Sequence, residues 1–411
     1  MDDRGNDGKL DHVTAESARA RVITLTEGAR ATPVELFLDL VFVYGFTQVT
    51  ALMAHEGTWL GLAHGVVMLG LLWWLWTGFA WLGNVVQADE GPMRIVLFAV
   101  MALVFIIDIT IPEAFEDLSG GLFGPWVFAA CYLLVQLIHG GAMLYAARRV
   151  PRIRRNTLLL LIPYLLGSVI LVVAGKQHGW TQAALWAAAL AVLFGGVLMI
   201  RAEGWQLSAA SHFAERHGLI IIIALGESIV SIGVGVTAIA VSWQIIAACV
   251  LGIAVCAALW WAYFDVVALV AEDVLHHTAA GERARLARDS YTLLHFPMIV
   301  GIITMSLGLK KVFAHLSDPL EFGGMLVLYG GVSLYLLAHV AFRWRNLHTL
   351  NRQRLGVAIL LAALIPVGMQ MPSLAALVLL AVILVGLVAY EAQRFAQLRH
   401  RIRHGETSIR P

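Results

Sequence analysis

The chain has 411 residues, 60% hydrophobic and 13% charged, with a mean hydropathy of +0.80. Soluble domains carry about 25% charged residues, so this composition excludes a soluble globular fold and points to an integral membrane protein. A net charge of +1 leaves no basic footprint for nucleic acid.

Cys131, Cys249 and Cys256 all fall inside apolar runs and fit neither a disulfide framework nor a paired-cysteine metal site. The N-terminus is crowded with acids and has no small-residue cleavage site after an early apolar core, so it does not read as a signal peptide.

Residues 1–33 form a polar tail, with a surface helix expected over 10–25 and Pro33 suited to the first turn of the helix that follows. The expected architecture is an all-α bundle of about twelve transmembrane helices. Their spans are 34–54, 60–86, 93–114, 124–147, 156–175, 180–200, 212–236, 243–268, 288–311, 320–342, 354–371 and 373–395. The eleventh is short and interrupted by Pro366. A polar connection at 269–287 reads as a short surface helix, and 396–411 is a basic tail.

Arg148, Arg149, Arg152, Arg154, Arg155, Arg201, Arg283, Arg285, Arg343 and Arg345 fall in alternate loops, and the opposite loops carry Glu113, Glu116 and Asp117 with only Lys176, Lys310 and Lys311. By the positive-inside rule both termini are cytoplasmic, and a multi-pass protein of the plasma (inner) membrane is expected. Two halves, about 34–200 and 212–395, would set Glu35, Thr47 and Gln48 against Glu215, Glu227 and Ser228. That correspondence is consistent with a parallel 6+6 repeat.

The first span reads VELFLDLVFVYGFTQV and carries Glu35 and Asp39 four residues apart, on one helical face. Glu35 suits a first turn. Asp39 lies beyond it among apolar residues, where a charge is costly. Asp108 sits in an otherwise apolar third span just before Pro112, either as an intramembrane site or as an acid under the outer headgroups.

The seventh span, HFAERHGLIIIIALGESIVSIG, opens on His212, Glu215, Arg216 and His217 and buries Glu227 beside Ser228 near its middle. A charge at that depth costs about 2.5–3.5 kcal/mol and calls for a partner, a wet cavity or a bound proton. Arg216 and Glu227 are eleven residues apart and point the same way, and Ser231 follows Glu227 by one turn.

In the ninth span Tyr291 and His295 share a face, and Pro297 frees a carbonyl in the preceding turn. His64, Gln136, His139 and His339 read as glue between helices. Trp73, Trp74 and Trp76 read as packing, or as an aromatic wall. Asp265 and Glu391, near helix ends, read as solvated.

Three stretches in this order, PVELFLDLVFVYGFTQV, HFAERHGLIIIIALGESIVSIG and YTLLHFPMIVGI, resemble the bacterial low temperature requirement A (LtrA) family. The resemblance spans about residues 32–395. It implies a polytopic membrane protein rich in intramembrane acids, with motif positions at Glu35, Asp39, Glu215, Arg216, Gly226, Glu227 and His295. Leu38 stands where relatives often carry a second phenylalanine, which keeps the face apolar.

The leading functional reading is a proton-coupled secondary transporter or ion-conducting protein using Glu227. Low dielectric favours the neutral form of a carboxyl group, and such a group can take up and release protons. Glu227, Asp39 and His295 are the candidates for proton transfer, and Glu35, Asp108, Glu215, Arg216, Ser228 and Tyr291 for binding substrate or ion.

The alternative is an intramembrane enzyme using a buried carboxylic acid as general acid on a lipid or isoprenoid. A scaffold or sensor is the third reading. The expected partners are the bilayer and a small-molecule, ion or lipid substrate. No cofactor or metal is expected, since no acidic cluster or second ligand histidine accompanies His212.

Overall fold

Thr32 and Glu35 begin the first helix reciprocally. The Thr32 backbone N–H and hydroxyl both donate to the Glu35 carboxylate, the Glu35 N–H donates back to the Thr32 hydroxyl, and Pro33 fills the first helical position. This helix, α1 (Pro33–Glu56), stops at Gly57, whose φ of 61° is left-handed. A computed structural model describes residues 29–394, apart from 89, 90, 149, 201–204, 206 and 238, and also residue 396. The expected surface helix over 10–25, Arg149, Arg201 and most of the basic tail lie outside these residues.

The chain continues as α2 (Trp59–Val85), α3 (Pro92–Ile109), α4 (Gly124–Ala146), α5 (Pro151–Ala174), α6 (Gly179–Met199), α7 (Ala210–Val236) and α8 (Trp243–Phe264). Then come α9 (Val267–His277), α10 (Ala280–Ala314), α11 (Phe322–Leu347), α12 (Arg352–Ala363), α13 (Ile365–Gly368) and α14 (Ser373–Arg394).

The protein is thus an all-α, largely membrane-spanning bundle. Eleven described helices, counting α8 with α9 as one, are long and apolar enough to cross a bilayer. The connection expected as one surface helix at 269–287 is two pieces instead: α9, and the first turns of α10.

The segment expected as an eleventh crossing is broken at Leu364, one residue before the Ile365-Pro366 pair that opens α13. It nonetheless runs the length of its neighbours. Arg354 near its start meets Glu391 at the end of α14, and Pro372 just beyond it bridges Pro319 between α10 and α11.

The most enclosed helices are α2, α10 and α11, and α6 is the least buried. With no hydrophobic drive between helices in lipid, close backbone approach has to hold such a bundle together. A methyl group on Gly308 would fall 2.6 Å from the Leu328 Cα, and one on Gly301 2.7 Å from the Gly331 carbonyl, so α10 and α11 touch backbone to backbone.

Both of these helices carry a π-helical stretch, at Ala287–Leu293 and Leu326–Gly330. The first lies just upstream of Pro297, where a freed carbonyl is expected. There the Ser290 carbonyl accepts from the His295 ring, and the Thr292 carbonyl accepts from Trp73 Nε1 at 2.8 Å.

Asn84, a lone amide near the end of α2, closes the start of α7. Its oxygen accepts from the Ser208 and Ala209 N–H groups and its NH2 donates to the Ala209 carbonyl. That clamp fixes the entry of α7 beside α2 and aims the first two turns of α7 at α1.

Candidate functional site

At the end of the bundle where α1 and α7 begin (the near end), Arg216 lies between Glu35 and Asp39 of α1. Its guanidinium reaches Glu35 at 3.0 Å and Asp39 at 2.8 Å, and His212 Nε2 lies 3.0 Å from the other Glu35 oxygen. Trp76 of α2 donates its indole N–H to Asp39 at 2.9 Å, and its ring lies under the guanidinium.

None of the four ionisable side chains is more than 3% exposed. The cavity beside Glu35 and Arg216 holds about 10 Å³, room for one water at most. The i, i+4 spacing of Glu35 and Asp39 therefore does what its face predicts: both carboxylates meet one cation. Gly83 of α2 makes room for the Glu35 carboxyl, since a side chain there would overlap it. Glu215, by contrast, is exposed and accepts from the Ala31 N–H at 2.9 Å.

Glu227 stands apart from this lock, about 16 Å further along α7 at 1.5 Å per residue. It is fully buried and makes no ion pair among the described residues. Ser231 donates to one carboxylate oxygen at 2.7 Å, and the other oxygen has no hydrogen-bond partner.

The hydroxyls of Ser306 on α10 and Thr50 on α1 face the same group. Each also lies within hydrogen-bonding distance of a backbone carbonyl, Ile302 for Ser306 and Phe46 for Thr50, and has one proton to share between that carbonyl and Glu227. Ser228 touches Ser306 at 2.6 Å, extending this polar patch across the α7–α10 contact. Lys310 lies one turn beyond Ser306 on α10.

The far end of the bundle opens into a vestibule of about 840 Å³ lined by Met53, Trp59, Leu307, Lys311, Glu321 and Phe322 among others. Its lining includes the buried Met53, three residues from Thr50, and the buried Leu307, adjacent to Ser306.

His295 belongs to a third group. Tyr263 of α8 meets its Nε2 at 2.8 Å, Tyr291 stacks on its ring, and the His217 ring lies 5.2 Å from it between centroids. Trp76 packs against His217 at 5.0 Å, so Asp39, Trp76, His217 and His295 form one continuous buried chain of contacts.

Asp39 and His295 are thus joined through rings, while Glu227 lies outside that chain. Trp73 and Trp76 stack on each other beside Asp39 and His217. They form a wall at the near-end cluster and pack alongside it. Among the described residues no three His, Cys, Asp or Glu side chains gather as a metal-ligand set.

Asp108 is buried against Gly45 of α1, without a partner for either oxygen. Glu391, expected to be solvated, is instead 7% exposed and held by Arg354 at 2.7 Å, with Asn351 as a second donor. Arg354 also reaches His339, which serves as the expected glue between helices. Asp265 is half-buried. His64 pairs with Glu56, and His139 with Tyr164 and the Gly78 carbonyl.

Three contributors went unread in the sequence, Asn84, Thr50 and Ser306, and His217 was noted there without a partner. Asn84 was the most findable, as an isolated amide near the end of an apolar helix.

An uncharacterized protein of Rhizobium meliloti (strain 1021) is 28% identical to this chain over 325 residues, 76% of each. No solved structure matches. The profile described as bacterial low temperature requirement A protein (LtrA) matches residues 30–389 and takes in all three motif stretches, so the chain belongs to the LtrA family.

Proposed function

We propose that this carboxylate-bearing membrane protein is a proton-coupled secondary transporter or ion-conducting protein in which Glu227 exchanges the proton. One observation carries the reading: a fully buried carboxyl group, unpaired by any cation among the described residues, has as neighbours Thr50 and Ser306, which stand three residues and one residue from Met53 and Leu307, the buried residues that floor the far-end vestibule. A permanently charged carboxylate in that position would be costly. A carboxyl group that gains and loses a proton as the floor at Met53 and Leu307 opens and closes is not.

The near end is then the closed side. Arg216, Glu35 and Asp39 form a dry ion-pair lock across the α1–α7 seam, and Trp76, His217, Tyr291 and His295 brace it from behind. Alternating access requires this lock to part when the vestibule closes.

A parallel 6+6 repeat supports such rocking. In the first half α1 packs on α2 and α3, α3 on α4, α4 on α5, α5 on α6, and α6 returns to α2. In the second half α7 packs on α8 and α10, α10 on α11, α11 on α12, α12 on α14, and α14 returns to α8. The two sequences of neighbours are the same once α12 and α13 count as one broken crossing. That reading makes twelve crossings with both ends on one side, the cytoplasmic one by the arginine pattern, in the plasma (inner) membrane. The enzyme reading gains less, because the tryptophans that would shelter a carbocation line the Asp39 cluster and not Glu227.

The test is proton flux in liposomes containing the purified protein and an internal pH-sensitive dye, under an imposed pH gradient. Glu227→Gln, which keeps size and hydrogen bonding, abolishes flux while the protein stays folded. Flux equal to that of the unsubstituted protein would end the proposal.

A further inference from the structure

Asp108 is the one buried acid among the described residues for which the structure provides no partner. Glu35 and Asp39 share Arg216, Glu391 has Arg354, and Glu227 has at least the Ser231 hydroxyl. Asp108 has neither: it is 0% exposed, and both carboxyl oxygens lack a hydrogen-bond partner.

Its surroundings explain why. The carboxyl group lies against α1 where Gly45 leaves a gap, and a methyl group there would sit 2.5 Å from Asp108 Oδ1 and 3.1 Å from the Leu72 side chain of α2. On the same α1–α3 contact the Tyr44 and Phe105 rings pack at a tilt, 5.4 Å between centroids. The buried Tyr132 of α4 donates its hydroxyl to the Leu71 carbonyl, and no charged side chain of α1, α2 or α4 forms an ion pair with Asp108.

A metal ion does not suit this place. Hard cations require several oxygen ligands, and Gly45 and Leu72 offer no side-chain oxygen. An ionised carboxylate without donors is the costliest occupant of such a site. A proton is the remaining ligand.

The position also has a counterpart. In the second half the first and third crossings, α7 and α10, meet at Glu227 and Ser306. In the first half the corresponding α1 and α3 meet at Gly45 and Asp108. The acid sits on the first crossing in one half and on the third in the other.

We propose that Asp108 is a second proton-binding site, holding its proton in the conformation described here and separated from Glu227 by α1. The assignment of the Asp108 site itself does not rest on the coupling role of Glu227.

Infrared spectroscopy on the full-length protein at neutral pH tests the site without any transport assay. Subtracting the spectrum of Asp108→Asn from that of the unsubstituted chain leaves one carbonyl stretch of a protonated carboxylic acid, and Glu227→Gln retains that band. Loss of the paired carboxylate stretches instead, or no difference at all, overturns the proposal.

If Asp108→Asn does not fold, Gly45→Ala provides the second reading. Its methyl group presses on Asp108 Oδ1 and shifts the same band, and an unshifted band would overturn the assignment. Should Glu227→Gln leave flux intact while the Asp108 band is present, the coupling role of Glu227 falls and the Asp108 site stands.

Discussion

Replacing Arg216 by methionine keeps most of the side-chain volume and removes the charge that Glu35 and Asp39 share. Both carboxylates are at most 3% exposed, and the adjoining cavity admits no more than one water, so neither acid can be rescued by solvent. Removing one partner of a buried ion pair typically costs about 3–5 kcal/mol. Arg216→Met strands two acids at once, leaving Glu35 with His212 and the Thr32 donors and Asp39 with the Trp76 indole N–H alone. A loss of at least about 3–5 kcal/mol is therefore expected, a large part of the roughly 5–15 kcal/mol typical of a folded protein.

The same logic predicts rescue. In the triple variant Arg216→Met, Glu35→Gln, Asp39→Asn no charge remains to strand, and an amide oxygen at position 39 still accepts from Trp76. Most of the lost stability returns. Thermal unfolding in detergent, followed by fluorescence, measures all three proteins. A single variant as stable as the unsubstituted chain, or a triple variant no better than the single, would refute the ion-pair lock.

Two further substitutions probe how the site is held. Asn84→Ala leaves the Ser208 and Ala209 N–H groups without their cap, with an expected loss of about 1–3 kcal/mol in the same unfolding measurement. Asn84→Asp, which keeps the acceptor, recovers part of it. Gly308→Val places a side chain into the Leu328 backbone, and overpacking of that kind costs about 1–3 kcal/mol or more. Its signature is a lowered unfolding temperature, whereas Gly356→Ala, at a glycine with open space around it, leaves the temperature unchanged.

Much of this arrangement was legible in residue spacing, and the limits follow from what spacing encodes. The period of a helix is local, so the shared face of Glu35 and Asp39, the Glu227–Ser231 pair and the Tyr291–His295 stack could all be read. Partners across helices could not. Arg216 is 177 residues from Asp39 and also points along the face that carries Glu227, and only the α1–α7 contact decides which acid it takes.

Glu391 shows the complementary error. Its place near the end of a helix suggested solvent, but the broken helix α12 brings Arg354 over it and encloses both. The break itself was visible as Pro366. The bridge between Pro372 and Pro319 beyond that break was not, because it joins segments that lie far apart along the chain.

The most direct examination of the central idea is chemical labelling of Glu227 in membranes by dicyclohexylcarbodiimide, which reacts with protonated carboxyl groups in apolar surroundings. Peptide mass spectrometry then reads the modified residue. The account predicts that Glu227 is modified, faster as the pH on the vestibule side falls, while the ion-paired Glu35 and Asp39 stay unmodified. A Glu227 that remains unlabelled at every pH, or is labelled at a rate indifferent to pH on the vestibule side, would contradict it.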